Sequence, residues 1–313
     1  MRNGLLTAAA ATLLLSATRV PAHSLGSEDT PLPTIEVEAQ RRSVEKRVAS
    51  FIAAITPPLY ADSLVRWHQD ICLQVVGPPP AQIDQIVARV SVIATAAGLA
   101  VQPNPCKPNF YIVATTYPDK LLKAWSKRDH LLFGDARPKL IDQFLDTPRA
   151  VRVWYNTLPT GKPIDNGVMM PMPIAGPATP TTMDAPISAG NVVDAAANMR
   201  AIEFDVVQRF TSVIVVVDTQ RLGGFKLNSV ADYIAMVGLS KINLDANFTG
   251  VPSILNLFVA AGGNTVEAAA SSITAWDQDY LRALYATRQS SRMQRAAMAD
   301  MMVHDIADSR TIR

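Results

Sequence analysis

Ile71-Cys72-Leu73-Gln74-Val75-Val76-Gly77, then Ala81 to Leu99, then Phe110-Tyr111-Ile112-Val113-Ala114 is the stretch that decides the fold. The first segment is a short β-rich run closed by a glycine. The second carries Ile83, Ile86, Val87, Val90 and Ile93/Ala94 at three- and four-residue spacing, the period of a helix with one apolar face. The third is again an apolar run of strand length. A strand–helix–strand unit makes its two strands parallel. Cys72 and Cys106 each stand near the start of one strand, and therefore at the same end of the sheet. These are the two cysteines of the chain, and they read as a disulfide. A metal or redox pair would call for Cys-x-x-Cys spacing and a nearby histidine, and neither is present.

Working outward, Val44 to Ile55 reads as a helix stopped by Pro57-Pro58. Helices are expected from Asp119 to about Leu131 and from Pro138 to Leu145, followed by a strand over Ala150–Tyr155. Residues 158–190 differ in kind. Prolines at 159, 163, 171, 173, 177, 180 and 186 interrupt any regular element, with Met169-Met170-Pro171-Met172-Pro173 at the centre, so a long loop tacked onto the core is expected. Ser212-Val213-Ile214-Val215-Val216-Val217 is the continuous β-branched run of a strand buried on both faces. The remainder is helical: Ser229–Leu239, a short turn at Pro252–Phe258, Thr274–Tyr285 and Ser290–Ile306. Tyr280/Leu281/Leu284/Tyr285 and Met293/Ala297/Met301 have helix-face spacing and read as core. The layout is α+β: a mixed β-sheet with an N-terminal strand–helix–strand unit and a helical C-terminal region.

The N-terminus speaks of location. Arg2, the apolar run Gly4–Ala17 and the small residues of Val20-Pro21-Ala22 have the anatomy of a secretory signal peptide cleaved after Ala22. Removing Arg2 and Arg19 from the 29 basic residues leaves as many as the 27 acidic ones. A neutral, evenly mixed chain has no electrostatic footprint for nucleic acid. No later apolar run reaches the roughly 18 residues a spanning helix needs, so no integral membrane segment is expected in the mature chain. The expected organisation is a signal peptide at 1–22, a mobile leader at 23–43, one domain over 44–306 and a tail at 307–313. The mature protein is expected in the periplasm or outside the cell.

The motifs are chiefly structural. Ser229-Val230-Ala231-Asp232 and Thr274-Ala275-Trp276-Asp277 both fit the capping box, in which a hydroxyl and an acid reciprocally satisfy the free amides of a helix start. On that reading Ser229→Ala and Asp232→Ala should cost about the same, on the order of 0.5–2 kcal/mol. His68, His130 and His304 are scattered, and no histidine lies within 201–303. No Gly-x-Ser-x-Gly elbow, P-loop or Gly-x-Gly-x-x-Gly is present. Ser43-Val44-Glu45-Lys46 matches Ser-x-x-Lys, but its companions Ser-Asp-Asn and Lys-Thr-Gly are absent.

Asp232-Tyr233-Ile234-Ala235-Met236-Val237-Gly238-Leu239, Pro252-Ser253-Ile254-Leu255-Asn256-Leu257-Phe258 and Trp276-Asp277-x-x-Tyr280-Leu281-x-x-Leu284-Tyr285 resemble a group of exported, uncharacterised alphaproteobacterial proteins. The Trp67…Cys72 start and the Cys106-x-Pro-Asn-Phe strand resemble it as well, so the likeness covers most of 44–306. More distantly, the C-terminal third is similar to a zincin-like proteobacterial family that carries His-Glu on the corresponding helix. Zinc peptidases of that type place two imidazoles one turn apart around the metal, with the glutamate as general base. Here Ala231 and Ala235 stand where the histidines belong, Asp232 replaces the glutamate, and Lys241 replaces the third ligand. The resemblance thus implies a zincin-like frame with no catalytic residue, metal or cofactor.

The expected function is a non-catalytic, zincin-like pseudoenzyme or binding module of the cell envelope, with an envelope protein or peptide as partner. Asp232, Asn256 and Trp276 mark the candidate groove. One alternative is a hydrolase with an unassigned acid, for which Asp232 is the candidate. The other is an accessory to a TonB-dependent outer-membrane receptor, because Thr34-Ile35-Glu36-Val37-Glu38-Ala39-Gln40-Arg41 resembles the leader of such receptors.

Overall fold

The computed structural model describes residues 34–56, 64–128, 130–134, 136, 138–160, 207–248, 251–258, 270–287 and 293–311. The expected signal peptide and residues 161–190 of the expected loop lie outside the described residues. The chain divides into two compact units, 1–39 and 40–313. Of the first, the described part is the opening of helix α1, which spans Thr34–Ile55. The expected leader therefore ends ten residues early: 34–43 contain no proline or glycine, and the helix of Val44–Ile55 extends back through them. Thr34–Arg41, the stretch that resembles a receptor leader, are helical.

The second unit is built on a mixed sheet of four strands. In chain order the elements are β1 (Leu73–Val76), α2 (Pro80–Ala96), β2 (Phe110–Thr115), α3 (Pro118–Arg128), α4 (Pro138–Asp146), β3 (Val151–Thr160), β4 (Val207–Asp218), α5 (Leu227–Leu239), α6 (Ala275–Ala286) and α7 (Gln294–Thr311). β1 and β2 run parallel, with Leu73 opposite Phe110, as a strand–helix–strand unit requires. β4 adds parallel to β2, and β3 closes the sheet as an antiparallel edge strand, giving the order β1-β2-β4-β3. Cys72 and Cys106 are joined, with Cα atoms 6.0 Å apart.

Strand alternation sorts the side chains onto two faces. On one face Phe110, Ile112, Val151, Val153, Val213, Val215 and Val217 meet α1, α2, α5, α6 and α7. On the other, Ile214, Val216 and Trp154 meet Leu122 of α3, Phe133, and Phe144 and Leu145 of α4. Both faces of β4 are therefore covered, which is why its sequence is a continuous β-branched run.

At the centre of the larger layer lies α5. Every residue from Ser229 to Leu239 is buried, so this helix is apolar nearly all round and offers water no face. Gly238 is where the Phe110 ring presses against the helix: a Cβ there would lie 1.9 Å from Phe110 Cζ. The buried apolar residues of α7 are Met298, Met302, Val303 and Ile306, whereas Met293, just before the helix, is 71 % exposed. The stripe expected at Met293/Ala297/Met301 is thus turned by one position. No helix among the described residues is long and apolar enough to cross a membrane.

Candidate functional site

The two expected capping boxes part company. Thr274 caps α6: its hydroxyl accepts from Asp277 N, and the Asp277 carboxylate accepts from Thr274 N. The same carboxylate accepts from the Ser253 hydroxyl and from Ile254 N at 2.8 Å, so it also fixes the 251–258 turn. Burial pushes the Asp277 carboxyl above its ordinary range, against these hydrogen bonds, which favour the ionised form.

Ser229 and Asp232 form no box. The helix starts two residues before Ser229, with Lys226 as an N-cap that makes no side-chain bond. The Ser229 hydroxyl donates to Ser271 O instead. Asp232 is wholly buried and accepts from Arg89 of α2 through both Nε and Nη2, the latter at 2.8 Å, and from Ile273 N at 2.7 Å. It ties α5 to α2 and to the turn before α6. Sequence spacing cannot separate a capping acid from a tertiary ion pair, because both place an acid in the first turns of a helix.

The residues of the expected groove, Asp232, Asn256 and Trp276, each bond to different partners. Asn256 is buried and donates to Val251 O, while Trp276 packs edge-on against Phe51 beneath Arg47. The three share no hydrogen-bond or ring partner. Ala231 and Ala235, at the zincin ligand positions, are fully buried, and alanine cannot ligate a metal. Among the described residues no group of three or more His, Cys, Asp or Glu is placed to hold a metal ion. The residues present do not fit zinc.

The C-terminal end of α5 is closed in an unusual way. Its last four carbonyls have no partner within the helix. Ser240 Oγ donates to Met236 O at 2.8 Å and the Tyr155 hydroxyl to Val237 O at 2.8 Å. Trp67 Nε1 donates to Gly238 O at 3.0 Å, and the Tyr285 hydroxyl to Leu239 O. All four carbonyls are met by side chains. Burial holds the Tyr155 and Tyr285 hydroxyls far above the ordinary range, so both remain donors at any working pH.

Beyond this helix end the chain turns through Lys241–Asp245 alongside the edge of β3 that pairs with no described strand. There a cavity of about 390 Å³ opens, a size typical of ligand sites. Its floor is the edge strand itself, Arg152, Val153, Trp154 and Tyr155 in succession, with α4 on one side and Lys241–Asp245 on the other. It is a trough between the two helical layers. Asp218 N donates to Ala150 O, which sets the phase of the antiparallel pair. Alternation then turns the backbone groups of Val151, Val153 and Tyr155 away from β4 and toward the open side. Among the described residues nothing bonds to them there.

The trough is basic. Arg149 donates to Leu244 O and pairs with Asp245; Arg152 donates to Leu145 O and pairs with Asp119, while its buried Nε has no partner. Lys241 has neither an ion-pair nor a hydrogen-bond partner among the described residues, and burial lowers its pKa. The signal in the sequence was Arg152-Val153-Trp154, a cation inside an apolar strand. A second cavity, of about 480 Å³, lies at the start of β3 and shares Arg149 and Leu244 with the trough. Phe225, Tyr233, Phe248 and Phe258 line it, and the Tyr233 hydroxyl has no hydrogen-bond partner among the described residues.

The two tyrosines make a direct test of this description. Tyr155→Phe is expected to cost about 1–3 kcal/mol, because Val237 O is left buried and unpaired. Tyr233→Phe removes a hydroxyl that bonds to no described residue and should change stability by less than about 0.5 kcal/mol. Thermal melts of the two variants check the contrast.

No protein-family model, curated protein or solved structure matches the chain.

Proposed function

We propose that the protein is a non-catalytic binding module of the cell envelope that takes an extended, acidic peptide along the open edge of β3. The observation that carries this reading is the trough: an edge strand with outward backbone groups, flanked by Lys241 and Arg152 Nε, which have no partner among the described residues. An exposed strand edge is a template for another strand, in which main-chain bonds supply affinity and neighbouring side chains supply selectivity. An unpaired, half-buried cation favours a carboxylate on that strand.

Export is part of the proposal and rests on the first 22 residues. The zincin-like pseudoenzyme reading is supported by the helix α5 with alanines at both ligand positions. Asp232 does not serve the hydrolase alternative, since Arg89 and Ile273 N occupy its carboxylate.

The test uses acetyl-Val-Glu-Val-Glu-Val-amide and hydrogen exchange. Binding should protect the Val153 and Tyr155 amides, and Lys241→Glu should weaken it about tenfold. Protection confined to other elements would refute strand addition. Stoichiometric zinc in the purified protein would refute the pseudoenzyme reading.

A further inference from the structure

The strand-addition reading leaves the cavity at the start of β3 unexplained. We propose that this cavity receives the carboxyl-terminal residue of the bound peptide. Its large apolar side chain lies among Phe225, Phe248 and Phe258, and its carboxylate meets Arg149 and the Tyr233 hydroxyl. The inference rests on strand addition and adds to it the class of ligand: a peptide with a free C-terminus and an aromatic or large aliphatic last residue.

Direction comes first. β3 runs from Val151 to Thr160, so a peptide added antiparallel to it travels from the Tyr155 end toward Val151 and arrives at Arg149 with its C-terminus. Antiparallel pairing is slightly the more stable arrangement. A parallel peptide would bring its terminal ammonium to the same place, facing Arg149 and Arg221, and would be repelled.

The cavity has what that C-terminal residue needs. Phe258 is met edge-on by Phe225 at 5.1 Å and by Tyr233 at 4.7 Å between ring centroids, which makes a firm apolar wall. Tyr233 is only 7 % exposed, yet its hydroxyl bonds to no described residue. Burial pushes that hydroxyl up to about 12, with Arg149 pulling the other way, so it stays protonated and can donate. Arg149 is held by Asp245, whose side chain is 72 % exposed. Such a surface pair is worth little, and a desolvated carboxylate can displace it.

The experiment titrates the purified protein with acetyl-Val-Glu-Val-Phe as the free acid, the same peptide as its C-terminal amide, and acetyl-Val-Glu-Val-Ala as the free acid, read by NMR shifts and hydrogen exchange. The free-acid Phe peptide should bind about tenfold more tightly than either of the others. Tyr233 and Phe258 should shift, and the Val153 and Tyr155 amides should be protected by all three. Arg149→Gln should abolish the preference for acid over amide, and Tyr233→Phe, which keeps the packing intact, should reduce it. Equal affinities with β3 still protected would overturn the terminal receptor and leave strand addition standing. No protection of β3 by any of the peptides would overturn both.

Discussion

Arg89→Ala is expected to destabilise the protein by about 3–5 kcal/mol, the cost of breaking a buried ion pair from the side that strands the buried charge. Asp232 has no exposure at all, whereas the Arg89 side chain is 33 % exposed. Without Arg89 the carboxylate keeps only Ile273 N as a donor among the described residues. Without Asp232 the guanidinium swings outward, so Asp232→Ala should cost less, about 2–3 kcal/mol, mostly for the orphaned Ile273 amide and the vacated space. Ser229→Ala should cost about 0.5–1.5 kcal/mol, through the lost bond to Ser271 O. This ranking departs from the equal costs a capping box requires.

Replacing Cys72 and Cys106 by serine together is expected to cost about 3–4 kcal/mol on the chain-entropy model, for a loop whose ends are separated by 34 residues. For a chain of this size that lowers the melting temperature on the order of 10 °C. Asn109 moderates the loss. Its carbonyl accepts from Cys72 N at 2.8 Å and its amide donates to Asp70 O at 2.9 Å, so the same loop remains tethered to the start of β1. Melts with and without a reductant check the value, and an unchanged melt on reduction would contradict it.

Local patterns made much of the scaffold legible. The parallel β1–α2–β2 unit, the disulfide, the doubly buried β4 and the Thr274–Asp277 cap follow from periodicity and spacing within short windows. What escaped depends on partners far along the chain. Asp232 takes its meaning from Arg89, and Met293 turns outward because tertiary packing selects Met298 and Met302 on α7. The trough escaped for the same reason: Arg149 and Arg152 lie at the start of β3 and Lys241 just after α5, with no motif joining them. It exists because, among the described residues, β3 pairs on one side only, a fact of sheet order that no window of sequence contains.

The closing of α5 by borrowed donors bears on the order in which the chain folds. Three of the four groups that satisfy its last carbonyls come from 171, 82 and 46 residues away. A helix that ended in its own glycine cap could finish locally. This one waits for a tryptophan before the first strand, a tyrosine on the edge strand and a tyrosine on the following helix. Each closure carries its loop entropy before any burial rewards it. Such a chain folds late and as a unit, with a high-contact-order transition state and a slow refolding rate. Its core cannot lock until residue 285 is in place.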